Sequence, residues 1–342
     1  MNILVDINHP AHLNFFKNAL NILKSNGHNI QITCLKRGKL PQIVKEELYN
    51  FDIEIIGNHR NNLLSIIFEA NIMKLFQLFF KNFTKKYSLG LSVGSFILGF
   101  FCKVKMIPNL QFEDDPECKN NFFFENLTAT ELYFPSFFDV DGNNINYYNS
   151  LKEWAYLSPD YFSPHINHVI ELDIEPFNYI FIREVSTGTS NYYHQENNLI
   201  ASISRDLPSE YNVILSLEDK NTSDQYPDEW IILDEPVKDI HSLIYYSRLL
   251  ISSGDSMARE GSILGVPSIY CGTRRMAANQ IMINKNILFH IDINDVPELA
   301  SRILKNRVNI PKQKEFRNKL NNEWDNITEY IVRQVEEYTE IG

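Results

Sequence analysis

Three things are scarce in this 342-residue sequence: cysteine, positive charge, and glycine where a phosphate-binding loop would need it. The four cysteines, Cys34, Cys102, Cys118 and Cys271, form no CxxC pair and no metal-ligand spacing. That pattern fits neither a disulfide scaffold nor a zinc module, and buried thiols in a reducing, cytoplasmic compartment are expected. Lysine and arginine total 32 against 43 aspartates and glutamates, a formal net charge of -11. A nucleic-acid binder needs clustered basic groups to displace counterions, so this balance argues against one, a local basic patch aside. Long apolar runs are missing as well. The most apolar stretch, "LLSIIFEANIMKLFQLFFKNFTKK" from Leu63 to Lys86, is broken by Glu69, Asn71, Lys74 and Gln77. It falls short of the ~20 nearly uninterrupted apolar residues that span a bilayer. No charged-then-apolar leader precedes "MNILVDI", so export is not expected.

What remains is an ordinary soluble composition, 44% hydrophobic and 22% charged, in a chain too long for one core. The first half alternates strand-like and helix-like segments. "NILVDI" is a β run, "HLNFFKNALNILKSNG" has helical spacing closed by Gly27, and "HNIQITCL" is the next strand. A helix around Lys39 to Tyr49, the strand "FDIEIIG", the amphipathic stretch above and the strand "SLGLSVGS" follow; "KVKMIPNLQFED" reads as a further strand ending in an acidic turn. Between about Asp139 and Pro176 the turn signals "DGNN", "SPD" and "SPH" indicate a linker. The alternation then resumes: "FNYIFIRE" strand, "YYHQENNLIASISRDL" helix, "YNVILSL" and "WIILDE" strands, "DIHSLIYYSR" helix, "LLISSGDS" strand and turn, "SMAREGSILG" helix, "VPSIYCG" strand. A charged helical segment from Lys312 to Thr339 closes the chain. This βαβ grammar calls for parallel sheets with right-handed crossovers, in which ligands bind at the carboxyl ends of strands.

Three such strand ends in the second half carry anion-binding residue types. Ser252, Ser253 and Gly254 leave a strand, and Ser256 opens a helix whose free N–H groups and dipole suit a phosphate. Glu260, one turn further, is placed to reach ribose hydroxyls. An ordinary turn capped by Asp255 or Ser256 is the alternative, and the Asp255 carboxylate would repel a diphosphate unless it points away. "CGTRRMAANQ" puts Arg274 and Arg275 in the next such loop, where guanidinium forks match phosphate oxygens; a solvated surface pair is the alternative. Arg183 ends "YIFIRE" and is followed by the polar loop "VSTGTSNYY".

Four segments carry a family resemblance: "DINHPAHLNFFKNALNILKSNGHNIQIT", "SLKEWAYLSPD", "EPVKDIHSLIYYSRLLISSGDSMAREGSILGVPSIY" and "NILFHIDINDVPELA". Together they resemble an uncharacterised bacterial and archaeal family with the GT-B glycosyltransferase fold, related to the non-hydrolysing UDP-N-acetylglucosamine 2-epimerases. The resemblance covers nearly the whole chain. It implies a role for the first βα turn, which carries Pro10, His9 and His12 in place of glycines: several GT-B enzymes keep a catalytic histidine there, and His12 is the match by position. An imidazole at a helix N-terminus feels the positive end of the dipole, which favours its neutral, proton-accepting form near pH 7. Capping or lining the turn is the alternative for both histidines.

The 2-epimerases share a "GDT" turn, a "HVEAG" segment and a "GHRREN" loop. This chain has "SVGSF" (Gly94, Ser95), "LQFEDDP" and "FIREVS" in those places, so Glu113 alone matches and epimerisation takes second place. Glu113, Asp114 and Asp115 form an acidic group suited to a general base or to acceptor hydroxyls, a solvated turn being the alternative. Asp139 and Asp141 in "FDVDG" read as a turn, since GT-B enzymes hold the diphosphate with helix dipoles and cations.

The expected architecture is therefore α/β of the GT-B type: two Rossmann-like domains with parallel sheets facing across a cleft. Residues 1–160 form the acceptor domain, 161–315 the nucleotide-sugar-binding domain and 316–342 a helical tail. The expected activity is transfer of a sugar from a nucleoside diphosphate donor, a UDP-sugar first, to a glycan or lipid-linked acceptor in surface polysaccharide synthesis. A 2-epimerase-like or hydrolytic enzyme, and a non-catalytic nucleotide-sugar-binding protein, are the alternatives. His12 and Glu113 are the catalytic candidates. Arg183, Ser253, Gly254, Ser256, Glu260, Arg274 and Arg275 are assigned to the donor, and His9, Asn14 and Asp114 to the acceptor. No metal and no cofactor beyond the nucleotide-sugar substrate are expected. The stretch 63–86, with Lys74, Lys81, Lys85 and Lys86, suits either a core helix with a solvated basic end or an interfacial helix at the inner face of the membrane.

Overall fold

The computed structural model describes the chain except for residues 60–67, 118, 143, 187–191, 193, 194, 235, 236, 238, 306–309, 341 and 342. Cys118, the start of the stretch 63–86 and most of the loop after Val185 fall outside the described residues. The chain divides into two compact units, Met1–Tyr156 with Glu323–Gly342, and Leu157–Asn322.

The first unit is built on a seven-stranded sheet: β1 (Asn2–Ile7), β2 (Asn29–Leu35), β3 (Asp52–Ile56), β4 (Leu89–Val93), β5 (Asn109–Phe112), β6 (Glu131–Pro135) and β7 (Ile145–Tyr148). Every pairing is parallel, in the order β3-β2-β1-β4-β5-β6-β7. β1, β2 and β4 are buried almost end to end, as strands covered on both faces must be. The order reverses between β1 and β4, which makes their carboxyl ends the crevice of this sheet. Helix Pro10–Ser25 leaves β1 with proline at a position where a missing N–H costs nothing, and buries Leu13, Phe15, Phe16, Ala19, Leu20 and Leu23. The last helix, Ile327–Glu340, returns to pack against it.

The second unit repeats the plan with six strands: β8 (Tyr179–Glu184), β9 (Asn212–Leu217), β10 (Ile231–Ile232), β11 (Leu249–Ser252), β12 (Ser268–Tyr270) and β13 (Leu288–His290). They too are all parallel, in the order β10-β9-β8-β11-β12-β13, with the reversal between β8 and β11. Ile180, Ile182, Leu215, Leu249, Ile251 and Ile269 form the centre of its core.

Several expectations need correction. The stretch expected as a linker contains β7, paired in register with β6 from Leu132↔Ile145 to Pro135↔Tyr148, and the short helix Trp154–Leu157. "INYY" is an edge strand with one fully buried residue, so it lacks the apolar run that marks the central strands. The strand expected over "KVKMIPNLQF" begins only at Asn109, because helix Phe96–Lys105 takes Lys103 to Lys105 and Met106 ends it in the left-handed conformation, φ 55°. Of the helix expected over "YYHQENNLIASISRDL", residues 193 and 194 lie outside the described residues and the helical part is a 3-10 segment, Ile200–Asp206. Cys34, Cys102 and Cys271 are free and buried, and burial pushes all three thiols up, the first two to about 12.

Candidate active site

Both crevices collect the residues singled out from the sequence. In the first unit they lie on loops after β1, β4 and β5. His9 is the N-cap of helix Pro10–Ser25: its Nδ1 accepts a hydrogen bond from the Ala11 N–H at 3.2 Å. His12, one turn on, lies 5.9 Å from the His9 ring, and its Nδ1 is buried with no hydrogen-bond partner among the described residues. Burial, then the His9 ring and the cations of Lys152, Arg37 and Lys74, hold the His12 imidazole well below its usual pKa. The ring stays neutral at physiological pH, with a lone pair or a proton to offer. Asn14 is half-buried on the same helix.

Beneath this loop is a polar network that sequence reasoning missed. Asp6, at the end of β1 and fully buried, accepts hydrogen bonds from Thr33 at 2.7 Å, Ser95 at 2.5 Å, Asn8 at 2.9 Å and the Lys74 ammonium at 2.6 Å. Burial alone would raise the Asp6 carboxyl, but the Lys74 charge and these hydrogen bonds outweigh it and hold it below its ordinary value. Lys74 also donates to Asn8 and is 2% exposed. Of the two readings of this stretch, Lys74 fits the core helix: it points inward and ties helix Lys74–Asn82 to the β1 loop.

Glu113 follows β5, two strands from β1 and so about 10 Å away along the sheet edge. Its Oε1 accepts from the Asp114 and Asp115 N–H groups at 2.8 and 3.0 Å. Its Oε2 faces Gly94, which has φ 52°; a Cβ there would stand 2.4 Å from Glu113 Oε2 and 3.3 Å from Glu125 Oε1. Two carboxyls thus converge on one glycine. Glu125, from helix Lys119–Thr128, is fully buried, and neither of its oxygens has a hydrogen-bond partner among the described residues. Burial and then the Glu125 carboxyl push Glu113 well above the carboxylate range, while burial raises Glu125 to about 7. The pair holds at least one proton near neutral pH, since two buried charges this close cannot both ionise. Asp114 is bound by Lys152, with Nζ at 2.9 Å from Oδ1 and 2.7 Å from Oδ2.

In the second unit the strand ends form a latched cradle. Helix Asp255–Ile263 opens at Gly254, and no side chain caps it among the described residues. A Cβ on Gly254 would come within 2.6 Å of Val185, so only glycine lets the two loops approach this closely. The Ser253 hydroxyl accepts the Val185 N–H at 2.9 Å. Gln195 joins the loops after β11 and β12, donating to the Ser253 carbonyl at 3.1 Å and accepting from the Thr273 N–H at 3.2 Å. The Asp255 carboxylate is 1% exposed and turned inward: the Tyr192 hydroxyl donates to it, Arg259 lies at 3.4 Å and Arg274 at 3.9 Å. Ser256, at the second position of the helix, is half-buried.

The arginines do not act as one group. Arg274 leans on Asp255, whereas Arg275 is exposed. Arg183 donates to Ser216 at 2.8 Å and lies 3.5 Å from Glu218, so part of its charge is met within the sheet edge. Glu260 is buried and stands 3.4 Å from His241 Nε2. Besides the inward role of Lys74 and of Glu125, nothing local marks Tyr192, Gln195 or Arg259, whose roles depend on contacts across 58 or more residues or on a buried helix face. Among the described residues no group of three or more His, Cys, Asp or Glu is placed to hold a metal ion.

Known proteins share this fold. A putative UDP-N-acetylglucosamine 2-epimerase from Listeria monocytogenes superposes with a TM-score of 0.70 at 12% identity, covering 100% of this chain and 97% of its own. The glycosyltransferase VinC, solved with dTDP, gives 0.68 at 12% identity with 100% of both chains covered. These likenesses show the fold, which is the expected GT-B fold. In sequence, the uncharacterised protein MJ0665 of Methanocaldococcus jannaschii is 22% identical over 324 residues, 90% of this chain and 92% of its own. The match over residues 1–108 and 128–340 makes this chain a member of the family described as protein of unknown function (DUF354).

Proposed function

We propose that the chain is a glycosyltransferase whose second unit binds a nucleoside diphosphate sugar and whose first unit holds an acceptor hydroxyl. The observation that carries this reading is the orientation of Asp255. A carboxylate at the first position of helix Asp255–Ile263 would repel a diphosphate, yet it is buried under Tyr192, Arg259 and Arg274, which leaves the uncapped N–H groups to an anion. Arg274 and Arg275 supply cations at the neighbouring strand end. His12 takes the acceptor proton as that oxygen bonds to the anomeric carbon; the bond to the diphosphate breaks and its electron pair leaves on the phosphate oxygen, met by the helix dipole and the arginines. A UDP-sugar is the first donor to test, given the nucleotide named for the Listeria neighbour, with dTDP-sugars next. The acceptor is a glycan or a lipid-linked sugar on the cytoplasmic side, in surface polysaccharide synthesis.

A second reading is favoured by the Glu113–Glu125 pair. A buried carboxyl that keeps its proton near neutral pH suits acid–base chemistry on the sugar itself, so a nucleotide-sugar hydrolase or epimerase is the runner-up.

Thermal unfolding with UDP, dTDP, GDP, CDP and CMP tests the cradle. A ligand at a hundredfold excess over its dissociation constant adds ~2.7 kcal/mol, and each kcal/mol moves the midpoint ~2–4 °C at this domain size. One nucleotide should raise the midpoint clearly; silence from all five sinks the donor site. Turnover of the matching nucleotide-sugar only with acceptor supports transfer, whereas turnover without one favours the second reading. His12→Ala should cut the rate ~10²–10⁴-fold and leave the nucleotide-induced shift intact.

A further inference from the structure

The surface of the first unit carries a feature that sugar chemistry does not require. Of the fifteen large apolar side chains exposed among the described residues, eleven lie between Ile72 and Leu127. Ile72, Met73, Phe76, Phe80 and Phe83 come from the helical stretch through Asn82 and its C-cap, Phe100, Val104 and Met106 from helix Phe96–Lys105 and its end, and Phe123, Phe124 and Leu127 from helix Lys119–Thr128. These helices pack side by side. Lys105 joins the first two, its ammonium 4.8 Å from the Phe83 ring centre and 2.6 Å from the Phe83 carbonyl; Lys103 reaches the Leu127 carbonyl at 2.6 Å, and the Phe96 and Phe124 rings lie 5.5 Å apart. The exposed side chains therefore form one patch.

Charge around this patch runs against the rest of the chain. Between Glu69 and Glu113 there are six lysines and no acidic residue, although 43 acids in 342 residues would place about five in a stretch that long. Lys74 is buried and Lys81 pairs with Glu54 at 3.4 Å, which leaves Lys85, Lys86, Lys103 and Lys105 as the further lysines of the stretch that carries the aromatic rings. Met106 adds a separate observation. It ends its helix at φ 55°, where glycine or asparagine is the unstrained choice, and it is 92% exposed. A bulky apolar side chain at a strained, solvated position gains nothing within the chain itself.

We propose that this three-helix face docks on an anionic lipid bilayer, its aromatic and Met106 side chains entering the headgroup boundary and its lysines meeting lipid phosphates. The lysine excess of this stretch, offset by Asp6 at the buried Lys74 and by Glu54 at Lys81, favours a negative surface over a second copy of this chain, whose matching face would bring like charges together. On the proposed reading the nucleotide belongs to the second unit and these side chains to the first, so nucleotide-induced stabilisation should be the same in all the variants below.

Co-sedimentation of the full chain with vesicles tests it. The chain should pellet with phosphatidylcholine vesicles containing phosphatidylglycerol and not with phosphatidylcholine alone. Lys86→Gln and Lys103→Gln should each lower the partition coefficient about fivefold. Met106→Asn should raise the unfolding midpoint and weaken vesicle binding together, opposite signs that a folding defect does not produce. Equal binding to both vesicle types, binding to neither, or a dimer in sedimentation equilibrium that Phe80→Ser dissolves would each overturn the proposal.

Discussion

The two units use the same plan, a parallel sheet with its order reversed beside the first strand, and fill the resulting crevices in opposite ways. The first places titratable groups there and leaves them poised: the buried Nδ1 of His12 without a partner among the described residues, and the Glu113 and Glu125 carboxyls, both raised by burial and close enough to share a proton. In the second, Gln195 and Ser253 bind backbone to backbone and Asp255 is closed off by Tyr192 and two arginines, so backbone N–H groups are what it presents. The surfaces differ as well: among the described residues, thirteen large apolar side chains are exposed in the first unit and two, Ile166 and Ile170, in the second. The same topology thus suits the two tasks of the proposed function: moving protons, which needs groups poised between two states, and holding charge, which needs rigid dipoles.

The sharpest way to break this contrast is at Lys74. Lys74→Met leaves the Asp6 carboxylate buried without its cation, and breaking one side of a buried pair costs about 3–5 kcal/mol. Chemical denaturation should show that loss, with nucleotide affinity unchanged in whatever protein remains folded. A loss much below 1 kcal/mol would mean that the network is solvated and the first crevice is not dry.

Glu125→Gln sharpens the contrast through pH. The folded pKa of Glu125 is raised to about 7 against a usual 4.5, so the folded state binds the extra proton. Its stabilising contribution is present below about 4.5 and fades as pH rises towards 7, at up to ~1.4 kcal/mol per pH unit. Glu125→Gln should flatten stability between those values and raise it at pH 8. His12, depressed in the folded state, works the other way: its contribution is present above its unfolded value of 6.5 and is lost as pH falls below it. An unchanged slope in Glu125→Gln would show that the carboxyls are not coupled.

The smallest effect is expected at Arg274. Its guanidinium sits 3.9 Å from Asp255 and is partly exposed, so Arg274→Ala should weaken nucleotide binding by about tenfold, ~1.4 kcal/mol, in a titration. Unchanged affinity would leave the helix N-terminus to hold the anion without it.

Which parts were readable in advance follows from the range of the interactions involved. β1, β2, β4, β8 and β11 declare themselves as apolar runs because burial on both faces acts on each residue in turn. His12, Ser253 and Gly254 could be placed because a strand end and a helix start are local signals. The partners of Asp6 and Asp255 could not: Lys74 lies 68 residues from Asp6, and Tyr192 lies 63 from Asp255. Glu125 sits in "NNFFFENLT", whose helix is amphipathic only weakly, so nothing local marks its carboxyl as the buried one. β7 was missed for the converse reason, since an edge strand needs little apolar sequence.

Helix Ile327–Glu340 lies on helix Pro10–Ser25, with Glu336 bound to Asn26 and His28 across about 310 residues, while the whole second unit lies between them in sequence. A ribosome adding ~5–20 residues per second needs roughly 10–30 s to go from Tyr156 to Ile327. The unit that emerges first is therefore the one completed last. Its half-built form, with the seat for Ile327, Ile331 and Val335 uncovered, waits while its successor has time to fold, and that interval is when a holding chaperone has most to protect.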